Sequence, residues 1–218
     1  MKRIFLAFSL FTAISNYSNA QNLTVGTAGM PLRELKTQPA QESGYLNNEF
    51  LPSTVVTPGG KHLSLEAIRY NVLNQQVEYL NKDVVYEVQD SLASFTATES
   101  TGKSHLLEKK PMNGKSYFFE VLASGKLGLL KRYTARKSET EDWYTKKKVQ
   151  AVVIKPEYYI VKDGKVLPFS PSKKEIQSIF KDNPDQVKSY LKNNTPDFKS
   201  DESLKELFQF YNSLNEKA

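Results

Sequence analysis

An aromatic pair followed by lysines is the segment whose residue types best suit contact with a partner. Trp143 and Tyr144 are adjacent, and Lys146, Lys147 and Lys148 follow them. Exposed rings of this kind bind a sugar, a peptide or another protein through their apolar faces, while their polar edges form hydrogen bonds. We therefore predict a binding site at these five residues. The alternative is that Trp143 packs onto the sheet edge as a core residue, because large aromatic side chains are usually mostly buried.

The two histidines of the chain are His62 and His105, which fall on separate predicted strands. Neither belongs to a recognisable metal-ligand motif or to a Ser/His/Asp arrangement. We therefore predict no catalytic residue, no metal and no cofactor, and favour a protein that is not an enzyme. The alternative is a hydrolase whose site is assembled in space from one of these histidines and distant strand carboxylates.

Two acidic groups invite comparison with glycosidases, which need a pair of carboxylates converging across a cleft. Glu139 lies close to Glu141 and Asp142, and Asp201 is followed by Glu202. The first group belongs to a run of mixed charge and is typical of a solvated loop. The second precedes a helical pattern, where acidic side chains favour the positive end of the helix dipole. Neither group indicates catalysis.

The chain contains no cysteine among its 218 residues. This excludes disulfides, zinc–thiolate sites and thiol catalysis. It also excludes a lipid attached to a cysteine at a signal-peptide cleavage site. Stability therefore has to come from the core, and a chain of this length can bury enough surface for that.

Residues 1–20 have the pattern of a secretory signal peptide. Lys2 and Arg3 form the charged start, residues 4–14 are apolar, and the small residues 18–20 precede Gln21. The apolar run is shorter than the roughly 20 residues that a membrane-spanning helix needs. We therefore predict an exported protein, periplasmic or extracellular, that is not lipid-anchored and has no transmembrane segment after cleavage.

The net charge of the whole chain is +6. Removing Lys2 and Arg3 with residues 1–20, which contain no Asp or Glu, leaves 6 − 2 = +4. Charges of both signs are mixed along the chain, whereas a nucleic-acid-binding protein concentrates basic residues on one face. We predict no nucleic-acid partner. An envelope protein or an extracellular ligand is the expected partner.

A β-hairpin over residues 117–133 is expected near the centre of the fold. Two apolar runs flank Ser124-Gly125, and glycine supplies the positive φ that a two-residue loop requires. With that loop Phe119 faces Leu130, Val121 faces Gly128, and Tyr117 faces Arg132. One face is then almost wholly apolar, and the other is mixed: Phe118, Glu120, Leu122, Leu127, Leu129 and Lys131.

Short apolar runs separated by turn residues continue on both sides of this hairpin. They predict a β-rich domain over residues 50–169, formed as an antiparallel meander that folds into a sandwich or an open barrel. Asp163-Gly164 marks another hairpin. Residues 136–148 are interpreted as a charged loop or as the ends of two strands. Residues 21–49 carry scattered Gly and Pro and are interpreted as a poorly structured lead-in.

Residues 170–218 change to a helical pattern. Ser172 with Glu175 forms a capping box, Pro184 suits a helix start, and Ser200 suits the N-cap of a third helix. Apolar residues recur at helical spacing in all three segments. The sequence therefore predicts an α+β protein in which a three-helix cap packs against the sheet.

Motifs at residues 50–56, 69–71, 117–133, 158–164 and 210–212 together resemble a group of small exported proteins of Bacteroidota-type bacteria. The resemblance covers about residues 45–215 and implies a β-rich body with a short helical tail. The Ala20-Gln21 junction also resembles signal cleavage in those bacteria. The resemblance implies no activity, so it assigns no catalytic residue.

We accordingly expect an exported, non-enzymatic binding or envelope-associated protein. The hydrolase described above is one alternative, and a structural scaffold that self-associates through its sheet is the other.

Overall fold

The computed structural model describes most of the chain after the expected signal peptide, namely residues 23–25, 31–35, 44–88, 92–98, 103–141, 144–146 and 148–216. Residues 1–20, Trp143 and Lys147 lie outside the described residues.

Within these residues the strands form one antiparallel sheet of twelve strands, in the order β1-β2-β6-β5-β4-β3-β7-β8-β9-β10-β11-β12. The strands are β1 (Leu23–Val25), β2 (Pro31–Glu34), β3 (Leu51–Val56), β4 (His62–Asn71), β5 (Gln76–Asn81), β6 (Val84–Val88), β7 (Ser94–Thr98), β8 (Ser104–Met112), β9 (Lys115–Ala123), β10 (Gly128–Glu141), β11 (Lys148–Lys162) and β12 (Lys165–Phe169). The helices are α1 (Lys173–Ile179), α2 (Pro184–Asn194) and α3 (Asp201–Glu216).

This architecture confirms the predicted α+β class, the antiparallel pairing and the three C-terminal helices. Strands β7 to β12 form a meander in chain order, and β3 to β6 form a second meander that runs the other way from β3. Strand β12 also contacts β8. Two strands belong to the segment expected to be a poorly structured lead-in: β2 pairs with β6, and β1 pairs with β2.

Two tight hairpins have the backbone that their sequences predict. Asp163 and Gly164 have φ of 50° and 74°, and they connect the paired residues Lys162 and Lys165. Asn113 and Gly114 have φ of 53° and 76°, and they connect the paired residues Met112 and Lys115. Asn, Asp and Gly adopt positive φ at low cost, and two consecutive residues of that kind match the twist of an antiparallel pair.

The central hairpin differs from its predicted register. Val121 pairs with Leu130 rather than Gly128, and residues 124–127 form a wider connection than the two-residue loop. At Leu130 and Lys131 the register moved by two residues, so the two faces predicted for the hairpin are kept, and an irregularity between Leu129 and Leu130 shifts the pairing once more. The side chain of Asn212 on α3 occupies the space directly beside Gly125 in this connection.

Asn212 binds the hairpin loop through three hydrogen bonds. Its Oδ1 accepts from Leu127 N at 3.0 Å, and its Nδ2 donates to Leu127 O at 3.0 Å and to Ser124 O at 3.1 Å. The side chain of Asn212 is buried. It supplies the hydrogen-bond partners that water would otherwise provide to the backbone of the loop.

We expect Asn212→Ala to lower the free energy of unfolding by about 3 kcal/mol, because it leaves buried backbone groups without partners. Urea denaturation measures this change. Asn194→Ala is the matched control: Asn194 is exposed, and its Nδ2 donates only to Tyr190 O, at 3.0 Å. If both variants lower the free energy of unfolding by the same small amount, the hydrogen bonds of Asn212 do not stabilise the loop.

Two apolar cores lie on the same face of the sheet. The first contains Val55, Phe95 and Phe118, and the second contains Leu129, Phe208 and other residues of the helices. Along β9 the side chains alternate between faces, so Glu120 lies between Phe118 of the first core and Leu122 beside the second. The opposite face carries a smaller cluster of Phe119, Leu130 and Tyr159.

Candidate functional site

The longest hairpin of the sheet positions the residues predicted to bind a partner. Strands β10 and β11 have 14 and 15 residues and pair without a break from Gly128 with Val161 to Glu141 with Lys148. Strand β9 pairs with β10 over residues 129–131, and β12 pairs with β11 over residues 158–162. The outer parts of β10 and β11 therefore form a two-stranded ribbon, which we call the β10–β11 ribbon.

Tyr144, Lys146 and Lys148 come together at the tip of this ribbon, in and beside the turn. The side chain of Tyr144 is 80% exposed. Lys146 lies 3.5 Å from Glu141, and Lys148 lies 2.8 Å from Glu139. Residues 136–141 and 148 are thus strand ends, and Tyr144 and Thr145 lie in a turn between them, which agrees with one of the two interpretations of this segment. The positions of Trp143 and Lys147, including the core alternative for Trp143, stay predictions.

The two histidines lie in different environments. His62 is exposed at the start of β4, paired with Val56. His105 is buried on β8, and its Nδ1 lies 2.6 Å from Oε1 of Glu120 on β9. The structure therefore brings one histidine to a strand carboxylate, as the hydrolase alternative requires.

Glu120 is the centre of a buried charge cluster between the two cores. Besides His105, its carboxylate accepts a hydrogen bond from the Tyr133 hydroxyl at 2.6 Å and lies 3.6 Å from Nζ of Lys131. Only 5% of the surface of Glu120 is exposed. A charge removed from water in this way is tolerated only with such partners.

Helix α3 completes the cluster from its first turn. Oδ2 of Asp201 lies 2.5 Å from Lys131 Nζ, and Oδ1 of Asp201 accepts from the Tyr158 hydroxyl at 2.6 Å. Lys131 therefore bridges Glu120 of the sheet to Asp201 of the helix. Asp201 was predicted to favour the helix N-terminus, and it does lie in the first turn.

The ionisation of the cluster does not suit acid–base catalysis. Burial disfavours the charged form of Glu120, but hydrogen bonds from His105 and Tyr133 and the charge of Lys131 outweigh it and hold its pKa at about 2. Burial and the adjacent carboxylates raise the pKa of Tyr133 and Tyr158. A general base works best with a pKa near the operating pH. The cluster is better explained as an internal connection between sheet and helices.

The buried charge cluster was not predicted, because its members are distant along the chain. Glu120 and Lys131 were visible as charges on the mixed face of the central hairpin. The contribution of His105 depends on the β8–β9 register, and that of Asp201 depends on how α3 docks. Two charged residues on a strand face otherwise made of Phe and Leu were the only signal.

The described residues contain no group of three or more His, Asp or Glu side chains arranged to hold a metal ion. None of the helices described is both long and apolar enough to cross a membrane. Comparison with known proteins finds no matching family model, curated protein or solved structure.

Proposed function

We propose that this chain is an exported, non-enzymatic binding protein that contacts an envelope protein or an extracellular ligand through the tip of the β10–β11 ribbon. The observation that carries the proposal is the position of Tyr144, 80% exposed at the end of a long ribbon. Tyr and Trp are enriched among the residues that contribute most to binding energy, because they bury a large rigid surface and still form hydrogen bonds.

The charges at the tip favour a partner surface that carries carboxylates. Lys146 and Lys148 are paired with Glu141 and Glu139, but all four side chains are about half exposed or more. Exposed ion pairs contribute about 0–1 kcal/mol, so a partner carboxylate can replace the internal one at little cost. The lysines then add attraction and orientation, while the aromatic ring supplies most of the affinity.

The location we propose is the periplasm or the cell exterior. It is supported by the signal-peptide pattern of residues 1–20 and by the resemblance to small exported proteins of Bacteroidota-type bacteria. The absence of cysteine from the chain is consistent with a protein that is not anchored by lipid.

We expect Tyr144→Ala to reduce partner capture at least tenfold and to leave the free energy of unfolding within about 0.5 kcal/mol of the original, because the ring is exposed. The measurement is chemical crosslinking in the producing cell, followed by purification and quantification of what is bound. The double variant Trp143→Ala with Tyr144→Ala tests the complete pair.

Leu167→Ala is the matched control, because Leu167 is an exposed apolar side chain, 41% exposed, on β12 rather than on the ribbon. Capture that is unchanged in the folded double variant would refute the proposal. Crosslinks only between copies of this chain would instead favour the structural scaffold.

A further inference from the structure

We propose that a cavity at the end of the first core binds a hydroxylated carboxylate, of which a uronic-acid sugar is the type that fits. The cavity has a volume of about 400 Å³ and lies between strands β5 and β6 on one side and β8 and β9 on the other. These two strand pairs are not neighbours in the sheet. The cavity therefore exists because the sheet curves, and it is independent of the β10–β11 ribbon.

The first core closes the floor of the cavity, while most of the exposed lining is polar. Four buried side chains of the first core form this floor: Val77, Val88, Leu92 and Phe118. Ligand cavities typically combine such a floor with a few polar groups that fix orientation. A sugar suits this lining, because its hydroxyls can bond to the polar rim while a few of its C–H groups contact the small apolar surface that is open.

The rim carries a surplus of positive charge. Lys109 and Lys115 line it, whereas the carboxylate of Glu87 is already paired with Arg33 and also accepts from Gln76 Nε2 at 3.1 Å. Lys115 is exposed and forms no salt bridge within the part of the chain that the structure describes. A ligand carboxylate beside Lys115 would form the missing ion pair.

The rim also offers groups that recognise hydroxyls. Ser116 lines the cavity next to Lys115 and presents a hydroxyl, which can donate and accept. Gln76 contributes a carboxamide whose oxygen can accept. The rim thus combines a cation, a hydroxyl and an amide above the first core. This set favours a ligand that carries both a carboxylate and hydroxyls. A simple anion or a neutral apolar molecule would use only part of it.

The volume sets the size of the ligand. At about 400 Å³ the cavity lies at the small end of the usual range for ligand sites, which suits a single monosaccharide. A ligand of so few atoms reaches a Kd of only about 1 mM at the affinity per atom that is usual for ligands. One sugar unit is thus expected to bind in the millimolar range.

The test is an NMR titration of the isotope-labelled protein with glucuronate, glucose and acetate. We expect glucuronate to shift the amide signals of Gln76, Lys115 and Ser116 in a saturable way. Glucose lacks the carboxylate and acetate lacks the hydroxyls, so each is expected to bind at least tenfold more weakly. Absence of saturable shifts with glucuronate at tens of millimolar, or equal binding of either comparison probe, would overturn the proposal.

Two turns of the same kind supply a matched pair of variants. Lys115 follows Asn113-Gly114 and Lys165 follows Asp163-Gly164, with nearly the same backbone angles. Lys115→Glu is expected to weaken glucuronate binding at least tenfold, and Lys165→Glu makes the same charge change away from the cavity and is expected to leave binding unchanged. Equal losses in both variants would show a general charge effect and would also overturn the site.

Discussion

Phe208→Ala is expected to lower the free energy of unfolding by about 4 kcal/mol, the usual range for removing a buried phenylalanine being about 3–5 kcal/mol. The side chain of Phe208 is fully buried. Its ring lies edge-on to Phe169 of β12, with centroids 5.7 Å apart, and to Phe180 after α1, at 5.1 Å. Phe208 therefore joins the sheet to two helices, and alanine would leave a cavity where the three meet. Urea denaturation followed by circular dichroism measures the loss.

Phe210→Ala is the matched control on the same helix. Phe210 is half-buried and stacks on Tyr190 with centroids 4.2 Å apart, away from the sheet. We expect a cost of about 1 kcal/mol, the range measured for an aromatic pair. Similar costs for the two variants would mean that α3 presents a different face to the sheet.

The helical region was predictable because its signals are local. Ser172 accepts a hydrogen bond from Glu175 N at 3.2 Å, as the capping box predicts, and α2 begins at Pro184. The apolar spacing of the third segment predicted a buried stripe, and its members Leu204, Leu207, Phe208 and Tyr211 are buried, whereas the buried Asn212 of α3 was not predicted. The residues that form a helix cap or an apolar stripe lie within one or two helical turns of each other. Both features can therefore be recognised from a single sequence.

The sheet was predictable in class and in the composition of its faces, but not in its order. Alternation along the strands identified which side chains share a face, and this survived the two-residue change of register in the central hairpin. The loop of that hairpin is bound by Asn212, which lies 85 residues from Leu127 along the chain. The pairing of β2 with β6 likewise joins residues more than fifty positions apart. Neither contact leaves a local signal.

Of the two candidate sites, one was predictable from local sequence and the other was not. Tyr144, Lys146 and Lys148 were predicted because an aromatic residue within a run of charges is visible in the sequence, and the structure brings these three together at one tip. The cavity rim was not predicted. Gln76 and Lys115 meet there only because the sheet curves, and each is an ordinary polar residue beside a turn.

The stability of the protein is expected to fall as the pH is lowered from about 4.5 to about 2, and Glu120→Gln is expected to remove most of this dependence. The pKa of Glu120 is about 2 in the folded protein, against an ordinary value of 4.5. A depressed pKa means that the folded state stabilises the carboxylate, so its contribution is present above 4.5 and is lost as the folded protein becomes protonated. The difference of 4.5 − 2 = 2.5 pH units corresponds to about 3 kcal/mol.

The measurement is urea denaturation of both proteins at a series of pH values between 2 and 7. At pH 7 Glu120→Gln is expected to cost about 3 kcal/mol, and at pH 2 the two proteins should converge. Glu139→Gln removes an exposed carboxylate of the β10–β11 ribbon and is expected to cost less than about 1 kcal/mol. The Glu139→Gln variant is the control that measures how much the loss of one negative charge by itself changes the free energy of unfolding.

The same pH series decides between a structural and a catalytic role for the buried charge cluster. A carboxylate held at a pKa of about 2 is too weak a base to remove a proton near neutral pH, and its contribution to stability is then flat between pH 5 and 7. If the difference between the original protein and Glu120→Gln instead changed through pH 6–7, Glu120 or the adjacent His105 would titrate where a general base works. His105 and Glu120, 2.6 Å apart, would then become the pair on which the hydrolase alternative rests. A flat difference assigns the cluster to joining α3 to the sheet.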